Sequence, residues 1–432
     1  ANFQSRIDLL NTVLEEIEYI SKRSKNPTKL LMICDANFGM FDRDIQIAEA
    51  FLDCKEKYGF PSRLYVYTLK NILPKTIQAY ELLSSMTPMS MSLQSVNPRT
   101  LKAIGRTNIR DEHYADIVQE CKRKGIRTHC ELIYGLPEED YASFAQGVRE
   151  VLKRGQERIQ LYLHVLYWGG ESATSAYRKK YGLKTAYRYQ RSSFGTYKDI
   201  SSTEIEEVVI GTNEMSVEDY FKIRKLHFFI LLLTTHNFKE LRFMLKCIDS
   251  DIVEVSEFII QDKEFWPDLF LVIMNDFHNA CDNELIYNKE DLKTEFTIEE
   301  VNELEATGLE LAPIFICRLY ARKNNIIEFR EYLARVLTKL FRARLSAKKL
   351  DEIIESLHIS MDRAVCYDDF NGSKSIKYPY DIDAWLANEE NKGLFQYRIK
   401  EKLSYQLNHH KGLEEAFAKA LKVGSSLEQS VF

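Results

Sequence analysis

Five short apolar segments recur along the first 170 residues, and a helical pattern separates each from the next. They begin near residues 30, 64, 89, 126 and 159. Two parallel strands need a crossover of about a dozen residues or more between them, usually a helix. The spacing therefore predicts repeated βαβ units and a parallel sheet, which is an α/β fold.

A further amphipathic helix, Arg6 to Lys22, precedes the first apolar segment. A helix followed by five strands predicts a partial TIM-like (β/α) barrel, over residues 1–170, whose opening strand is missing. Leu30 to Cys34 would then be an unpaired apolar edge, which native proteins avoid. We therefore expect the chain to be an N-terminally truncated fragment.

The pattern changes after the last of these segments. Residues 171–213 are rich in Tyr, Ser and Gly, with one strand-like run at Val208 to Ile210. We predict that they form an irregular crossover or linker that leaves the barrel. Residues 214–432 carry helical periodicity, and we predict a mostly α-helical C-terminal domain there.

Composition excludes several classes of protein. Apolar residues make up 45% and charged residues 28%, as in ordinary globular domains. A net charge of -5 lacks the basic excess of a nucleic-acid binder. No apolar run is longer than Phe228 to Leu233, which is far below the ~20 residues of a membrane span. Residues 1–25 show no signal-peptide pattern. We expect a cytoplasmic protein that binds neither nucleic acid nor membrane.

The basic helix Arg335 to Lys349 has two interpretations, contact with an anionic partner and a solvated face, and the second is favoured.

The eight cysteines form no recognisable ligand set. They lie singly along the chain, and neither CxxC nor CxxxCxxC occurs. The sequence therefore offers no zinc or iron–sulfur ligands, and no metal-binding residue is predicted.

Polar side chains collect where the predicted strands end, the position of chemistry in parallel α/β folds. Asp35 and Asn37 follow the first strand, and Gln94 and Ser95 end the third. Glu131 lies inside the fourth. A buried carboxylate is costly unless it meets a cation or several donors. Arg106, just upstream, is the obvious cation, which leaves a bracing ion pair and a ligand-binding role as alternatives.

Residues 30–170 resemble the radical S-adenosylmethionine (radical SAM) superfamily, from just after its cluster loop to its sixth strand. Asp35-Ala36-Asn37-Phe38 is similar to the DxNF motif of the branch that often carries an N-terminal cobalamin domain. SLQSVNPRTLKAIGR, which contains Gln94 and Arg106, resembles the fourth-strand signature. CELIYGLPEED resembles the fifth-strand signature, and residues 204–220 resemble the segment after the barrel in cobalamin-linked members. The likeness covers about half of the chain.

The resemblance implies roles for several residues. Gln94 would contact the ribose of S-adenosylmethionine, Arg106 its methionine carboxylate, and Glu131 the ribose hydroxyls or the amino group. The candidate cofactor-binding set is completed by five further residues: Asp35, Asn37, Ser95, Ile133 and Val165. A guanidinium grips a carboxylate with a planar fork, and a carboxylate accepts hydroxyl or ammonium donors, which agrees with these roles.

The resemblance also implies an enzyme and its cofactors. In this superfamily a [4Fe-4S] cluster cleaves S-adenosylmethionine reductively to a 5′-deoxyadenosyl radical, for hydrogen abstraction or methyl transfer. The expected cofactors are S-adenosylmethionine, a [4Fe-4S] cluster whose ligands are not in this chain, and cobalamin through a missing N-terminal domain. The expected partners are a small-molecule or peptide substrate and an electron donor such as flavodoxin or ferredoxin. This chain alone is expected to be inactive.

Two other interpretations stay open. The first is a non-catalytic, degenerate barrel whose helical domain binds a partner protein, because the cluster motif is missing and Tyr167-Trp168-Gly169-Gly170 replaces the family's usual sixth-strand turn. The second is an ordinary barrel enzyme acting on a phosphorylated small molecule, although no glycine-rich phosphate loop follows the late strands.

Overall fold

The structure, a computed structural model, describes residues 3–24, 30–108, 111–156, 158–198, 200–234, 238–293, 295–297, 300, 311–320, 323–362, 374–388 and 392–407. It divides into two compact units: residues 1–133 with 146–162, and residues 134–145 with 163–432. None of the described helices is both long and apolar enough to cross a bilayer.

The first part of the chain alternates helices and strands as predicted. In order, these are α1 (Phe3–Arg23), β1 (Leu30–Phe38), α2 (Arg43–Tyr58), β2 (Arg63–Thr68), α3 (Pro74–Leu82), β3 (Met89–Ser90), α4 (Pro98–Ala103), α5 (Asp111–Arg123), β4 (Thr128–Tyr134), α6 (Tyr141–Lys153) and β5 (Ile159–Leu163). β1 pairs in parallel with β2, and β3 pairs in parallel with β4, which has β5 as its other neighbour. The α/β class is confirmed, and a closed or partial barrel stays a prediction.

The two faces of these strands differ in character. Side chains alternate across a strand, and one set in the first unit is fully buried: Leu64, Val66, Met89, Met91, Cys130 and Leu132. The other face is half-buried or exposed. It is apolar on β1, where Leu30 and Met32 are exposed, aromatic on β2 at Tyr65, and polar on the later strands. The polar part is where the candidate site lies.

The loop after β1 is braced by hydrogen bonds. The buried Asp44 carboxylate accepts from the backbone N–H groups of Gly39 and Phe41, both at 2.9 Å. Thr76 Oγ1 donates to the Gly39 carbonyl, also at 2.9 Å. Gly39 has φ +92°, and a Cβ there would lie 2.6 Å from Thr76 Cγ2. The close approach and the positive φ together require glycine at this position.

Beyond residue 163, the second unit contains α7 (Ser175–Tyr181). An antiparallel hairpin of β6 (Lys184–Tyr197) and β7 (Ile200–Gly211) follows it. The expectation of an irregular segment over 171–213 is therefore wrong. β6 alternates polar and aromatic residues and has no continuous apolar run, so its strand pattern is weak in sequence. Whether the segment acts as a crossover stays a prediction, as do the domain bounds 1–170 and 214–432.

The rest of the described chain is mostly helical, as predicted. It contains α8 (Val217–Thr234), α9 (Lys239–Lys246), α10 (Ile252–Gln261), α11 (Asp268–Asn283), α12 (Leu311–Tyr320), α13 (Lys323–Phe341), α14 (Ala347–Asp362), β8 (Lys374–Tyr380), α15 (Ile382–Leu386) and β9 (Arg398–Leu407). β8 and β9 form a second antiparallel hairpin. Ser216 caps α8 reciprocally with Asp219, at 3.0 and 3.1 Å. An ion pair is buried between α8 and α11, where Arg224 Nη1 lies 2.7 Å from Glu284 Oε1.

Candidate functional site

The chain turns sharply at Gln94, four residues beyond the end of β3. Gln94 has φ +60°, a left-handed conformation that costs a non-glycine residue about 1–2 kcal/mol. Backbone hydrogen bonds to β4 hold it there: Gln94 N–H donates to the Glu131 carbonyl at 3.2 Å, and Ile133 N–H donates to the Gln94 carbonyl at 2.7 Å. The turn therefore brings the backbones of Gln94, Glu131 and Ile133 together.

The side chain of Gln94 has an unsatisfied acceptor. Its Oε1 atom is buried and has no hydrogen-bond partner among the described residues. Such a buried acceptor costs about 1–3 kcal/mol unless a donor reaches it. The arrangement therefore suits a ligand that brings a hydroxyl or an amino group to this position.

The segment after Gln94 is fixed locally. Ser95 is buried, its Oγ accepts from Asn97 N–H at 3.0 Å, and its carbonyl accepts from Asn108 Nδ2 at 2.7 Å. Asn97 in turn caps α4, because its Oδ1 accepts from Arg99 N–H at 3.0 Å. Ser95 thus holds the entry to α4, with its hydroxyl already engaged by the backbone.

Glu131 lies in a network of polar side chains on the half-buried face. Ser92 Oγ donates to Glu131 Oε2 and lies 2.9 Å from Ser90 Oγ. His129 Nε2 lies 3.3 Å from Glu131 Oε1. The His129 and Glu131 side chains are 13% and 22% exposed. Burial alone would raise the pKa of Glu131, but the hydrogen bonds of His129 and Ser92 lower it below its usual value. Glu131 is therefore an ionised carboxylate at neutral pH.

Arg106 does not pair with Glu131. It follows α4 in an exposed position, and the partners of the Glu131 carboxylate within the described chain include Ser92 and His129 but not Arg106. The bracing ion pair that the sequence suggested is therefore wrong. Arg106 instead lies near Lys70: burial and the Arg106 charge lower the pKa of that lysine. Two cations near each other attract an anionic group such as a carboxylate.

The remaining candidate residues have local partners of their own. Asp35 Oδ1 accepts from Asn37 N–H at 2.9 Å, which closes a local turn at the end of β1. Neither side chain is hydrogen bonded to Gln94, Arg106 or Glu131 within the described residues. Val165 belongs to the second unit, where it forms a bridge with Val208. Their assignment to the site stays a prediction.

Two curated relatives match about half of this chain. The 2-(S-pantetheinyl)-carbapenam-3-carboxylate methyltransferase of Streptantibioticus cattleyicolor is 33% identical over 214 residues, 48% of this chain and 30% of the relative. The cobalamin-dependent radical SAM methyltransferase TokK of Streptomyces tokunonensis is 32% identical over 226 residues, 50% of this chain and 32% of the relative. Over this half of the chain, the resemblance to the radical SAM superfamily is confirmed. The match spans less than a third of either relative.

Other comparisons with this chain are weaker. No family model matches it. The oxidase HemN of Escherichia coli, a radical SAM enzyme, is 16% identical with a TM-score of 0.31 and covers 41% of each chain. The methyltransferase TsrM of Kitasatospora setae, with cobalamin and a [4Fe-4S] cluster bound, is 18% identical with a TM-score of 0.30, covering 37% of this chain and 29% of its own. Scores this low carry no argument about the fold.

Sequence reasoning missed several residues of the network around Glu131. Ser90, Ser92 and His129 alternate with buried apolar residues, so each stands on the same face as Gln94 or Glu131. Period-two alternation was the available signal, since residues at i and i+2 share a face of a strand. Tyr65 was also missed. Burial and the nearby charge of Glu131 raise its pKa to about 12, so it is a neutral phenol beside the carboxylate.

The arrangement is chemically suited to binding a polar organic ligand. It offers an ionised carboxylate at Glu131 and an open acceptor at Gln94 Oε1. His129 adds a buried Nδ1 that has no hydrogen-bond partner within the described chain. Hydroxyl and ammonium groups would satisfy all three. Over the described residues, no group of three or more His, Cys, Asp or Glu side chains is placed to hold a metal ion.

Proposed function

We propose that this chain carries the S-adenosylmethionine-binding part of a cobalamin-dependent radical SAM methyltransferase. The observation that carries the proposal lies just beyond β3 and within β4, where Gln94 is hydrogen bonded to the backbone of Glu131. There Glu131 is ionised and Gln94 Oε1 has no partner among the described residues. The two curated relatives support the reaction class, since both are named as methyltransferases and one as cobalamin-dependent.

The residues present fit S-adenosylmethionine. Its ribose hydroxyls would donate to Gln94 Oε1 and to the Glu131 carboxylate. Its methionine carboxylate suits the guanidinium of Arg106, assisted by Lys70. Ser95 supports the turn that presents Gln94, and Ile133 offers an apolar contact to the adenine. Val165 is proposed to flank the adenine as well, and Asp35 and Asn37 to line the end of β1 near cofactor or substrate.

The proposed cofactors supply the difficult chemistry, and the chain supplies binding and orientation. Bound S-adenosylmethionine supplies a methyl group and the source of a carbon radical. The described residues offer no ligand set for a [4Fe-4S] cluster, so we assign neither that cluster nor cobalamin to particular side chains. The role of the chain's own groups is to hold the sulfonium ligand and to keep Glu131 ionised.

The proposed substrate is a small molecule. The support is the first relative, whose name describes the methylation of a carbapenam carboxylate. A peptide substrate and a flavodoxin-like or ferredoxin-like electron donor stay expectations of the superfamily resemblance.

Equilibrium binding of S-adenosylmethionine, measured by isothermal titration calorimetry, tests the proposal. Glu131→Gln removes the charge while keeping the shape, and we expect affinity to fall roughly 10- to 100-fold, because a charged hydrogen bond is worth about 1.5–3 kcal/mol. Gln94→Asn withdraws the acceptor by one methylene, while asparagine still tolerates the left-handed backbone. We expect about a tenfold loss from it.

The matched control is His113→Gln, on the exposed face of α5, which should bind as the parent does. Unchanged affinity in both site variants would overturn the assignment of the site. For the intact protein, release of 5′-deoxyadenosine after reconstitution with iron and sulfide tests catalysis separately. Its absence, with binding intact, would favour the non-catalytic barrel.

A further inference from the structure

A basic groove lies in the second unit, far along the chain from the Glu131 network. It has a volume of about 500 Å³, within the usual range of small-ligand sites. Its walls come from residues 262–265 after α10, from α13 and from α14. The residues that matter for binding are Phe265, Tyr332, Arg335, Lys339 and Arg342.

The cations of the groove form one stripe at the C-terminal end of α13. Arg335 and Lys339 lie four residues apart on one face of the helix, and Arg342 follows three residues later, just past its end, where its N–H still donates to the Thr338 carbonyl at 2.9 Å. Asp262 is the carboxylate among the lining residues. It neutralises Lys339, whose Nζ lies 2.6 Å from Asp262 Oδ1. The groove therefore keeps an excess of positive charge in a chain whose net charge is negative.

Arg335 and Arg342, which are both exposed, are the members of this stripe that no described carboxylate neutralises. Neither side chain forms an ion pair or a side-chain hydrogen bond with any described residue. By contrast, flanking arginines outside the groove are paired: Arg330 with Asp362 at 3.3 Å, and Arg344 with Glu254 at 2.7 Å. Carboxylates therefore lie close to other arginines in this part of the chain. Among the described residues, no carboxylate contacts the guanidinium groups of Arg335 and Arg342.

The floor of the groove is aromatic. The Phe265 side chain is 59% exposed, and Lys339 Nζ lies 4.1 Å from its ring centroid. The Arg335 guanidinium lies 6.0 Å from the ring centroid of the buried Tyr332. An exposed phenyl ring beside free guanidinium groups presents a stacking surface and an anion-binding surface together.

We propose that this groove binds a small organic phosphate, with the phosphate on Arg335 and Arg342 and a planar or apolar body on Phe265. Guanidinium groups match phosphate oxygens with two parallel hydrogen bonds. The groove is sized for a small molecule, and the chain lacks the basic excess of a nucleic-acid binder. The proposal needs neither S-adenosylmethionine nor a metal cluster, so it stands or falls independently of the proposed function.

Calorimetric titration of the whole chain with phenyl phosphate and with inorganic phosphate tests this inference. We expect phenyl phosphate to bind more tightly, and the double variant Arg335→Gln/Arg342→Gln to weaken both ligands at least about tenfold. Phe265→Ala should weaken phenyl phosphate alone, because it removes the ring and leaves the guanidinium groups in place.

The control is Arg344→Gln/Lys348→Gln, which removes the same charge from exposed positions outside the groove lining. It should bind both phosphates as the parent does. Equal weakening in this control and in the groove variant would reduce the effect to net charge and overturn the proposal. Undetectable binding of phenyl phosphate by the parent at low ionic strength would overturn it too. Matching urea midpoints of the variants would show that folding is intact.

Discussion

Ser92, two residues beyond the end of β3, donates a hydrogen bond across the sheet to the carboxylate of Glu131 on β4. This contact and the His129 imidazole keep the pKa of Glu131 low in a partly buried place. The carboxylate is thus held ionised by uncharged serine donors and a histidine, without the arginine that the sequence suggested. The site can therefore present a negative charge to a ligand without a permanent counter-ion.

The Ser92–Glu131 contact should show as energetic coupling. Ser92→Ala removes a donor to an ionised group, and we expect the free energy of unfolding to fall by about 1.5–3 kcal/mol. In the Glu131→Gln background, Ser92→Ala should cost less, because the charge is already gone. Urea unfolding of the parent, both single variants and the double variant gives the coupling, for which we expect about 1–2 kcal/mol. Additive effects would contradict the contact.

Gly39→Ala tests the loop after β1. The new methyl group would lie 2.6 Å from Thr76 Cγ2 and 2.9 Å from Thr76 Cα, at φ +92°. We expect a loss of stability of about 2–4 kcal/mol from strain and overpacking together. Gly59→Ala is the matched control, since its φ is +71° and its methyl group would meet no described atom within 4 Å. There only the backbone cost of about 1–2 kcal/mol should remain. Equal losses in the two variants would show that Thr76 can move aside.

The buried pair Arg224–Glu284 should respond differently to single and double replacement. Their side chains are 9% and 6% exposed, so removing one partner leaves an unpaired charge in the interior. Arg224→Met is expected to cost about 3–5 kcal/mol. Arg224→Met/Glu284→Gln removes both charges and should recover a substantial part of that loss. Thermal and urea unfolding measure both variants, and a double variant less stable than Arg224→Met would contradict this view.

His227 on α8 should make stability depend on pH. Burial and the charge of Arg224 lower its pKa from an ordinary 6.5 to about 3. Between these values the unfolded chain binds a proton that the folded chain does not. Stability is therefore full above about pH 6.5 and falls as the pH drops, by at most about 1.4 kcal/mol per pH unit from this group. Because His227 keeps some solvent contact, we expect a smaller slope than this limit.

The measurement for His227 is urea unfolding at about pH 7 and about pH 5. His227→Gln should narrow the difference between the two, since glutamine does not titrate. His113→Gln, at an exposed position on α5, should leave that difference unchanged. If the two variants gave the same difference, His227 would not be its source.

The sequence predicted the α/β part well because its information is local. Strand starts near 30, 64, 89 and 159 agree with the observed β1, β2, β3 and β5, and Gly125 and Gly155 both adopt positive φ beside helix ends. Apolar periodicity and the glycines beside helix ends can both be recognised from residues that lie close together in the sequence. The β6–β7 hairpin carried that signal only at Val208 to Ile210, because β6 alternates polar and aromatic residues without an apolar run.

The sequence indicated which strand ends carry polar residues, but not which side chains hydrogen bond to one another. Asp35, Asn37, Gln94, Ser95 and Glu131 were expected near one edge because parallel strands end there, and their shared role in a site stays a prediction. Which donors reach Glu131 depended on the register of β3 against β4, where Ser90 stands opposite His129. Charge complementarity favoured Arg106 instead, yet the exposed turn after α4 holds it away from the carboxylate. The register between neighbouring strands decides such contacts, and this register could not be deduced from one sequence.

The exposed face of β1 carries a cysteine that can be labelled selectively. Cys34 is exposed, while Cys121 and Cys130 are buried, and burial raises the pKa of both to about 12. Burial also raises the pKa of Cys247 and Cys317 to about 11. A thiol reacts as its thiolate, so a maleimide probe near neutral pH should label Cys34 ahead of these four. A fluorophore attached there would sit on the same strand as Asp35 and Asn37, and would report ligand binding at that strand end as a change in emission.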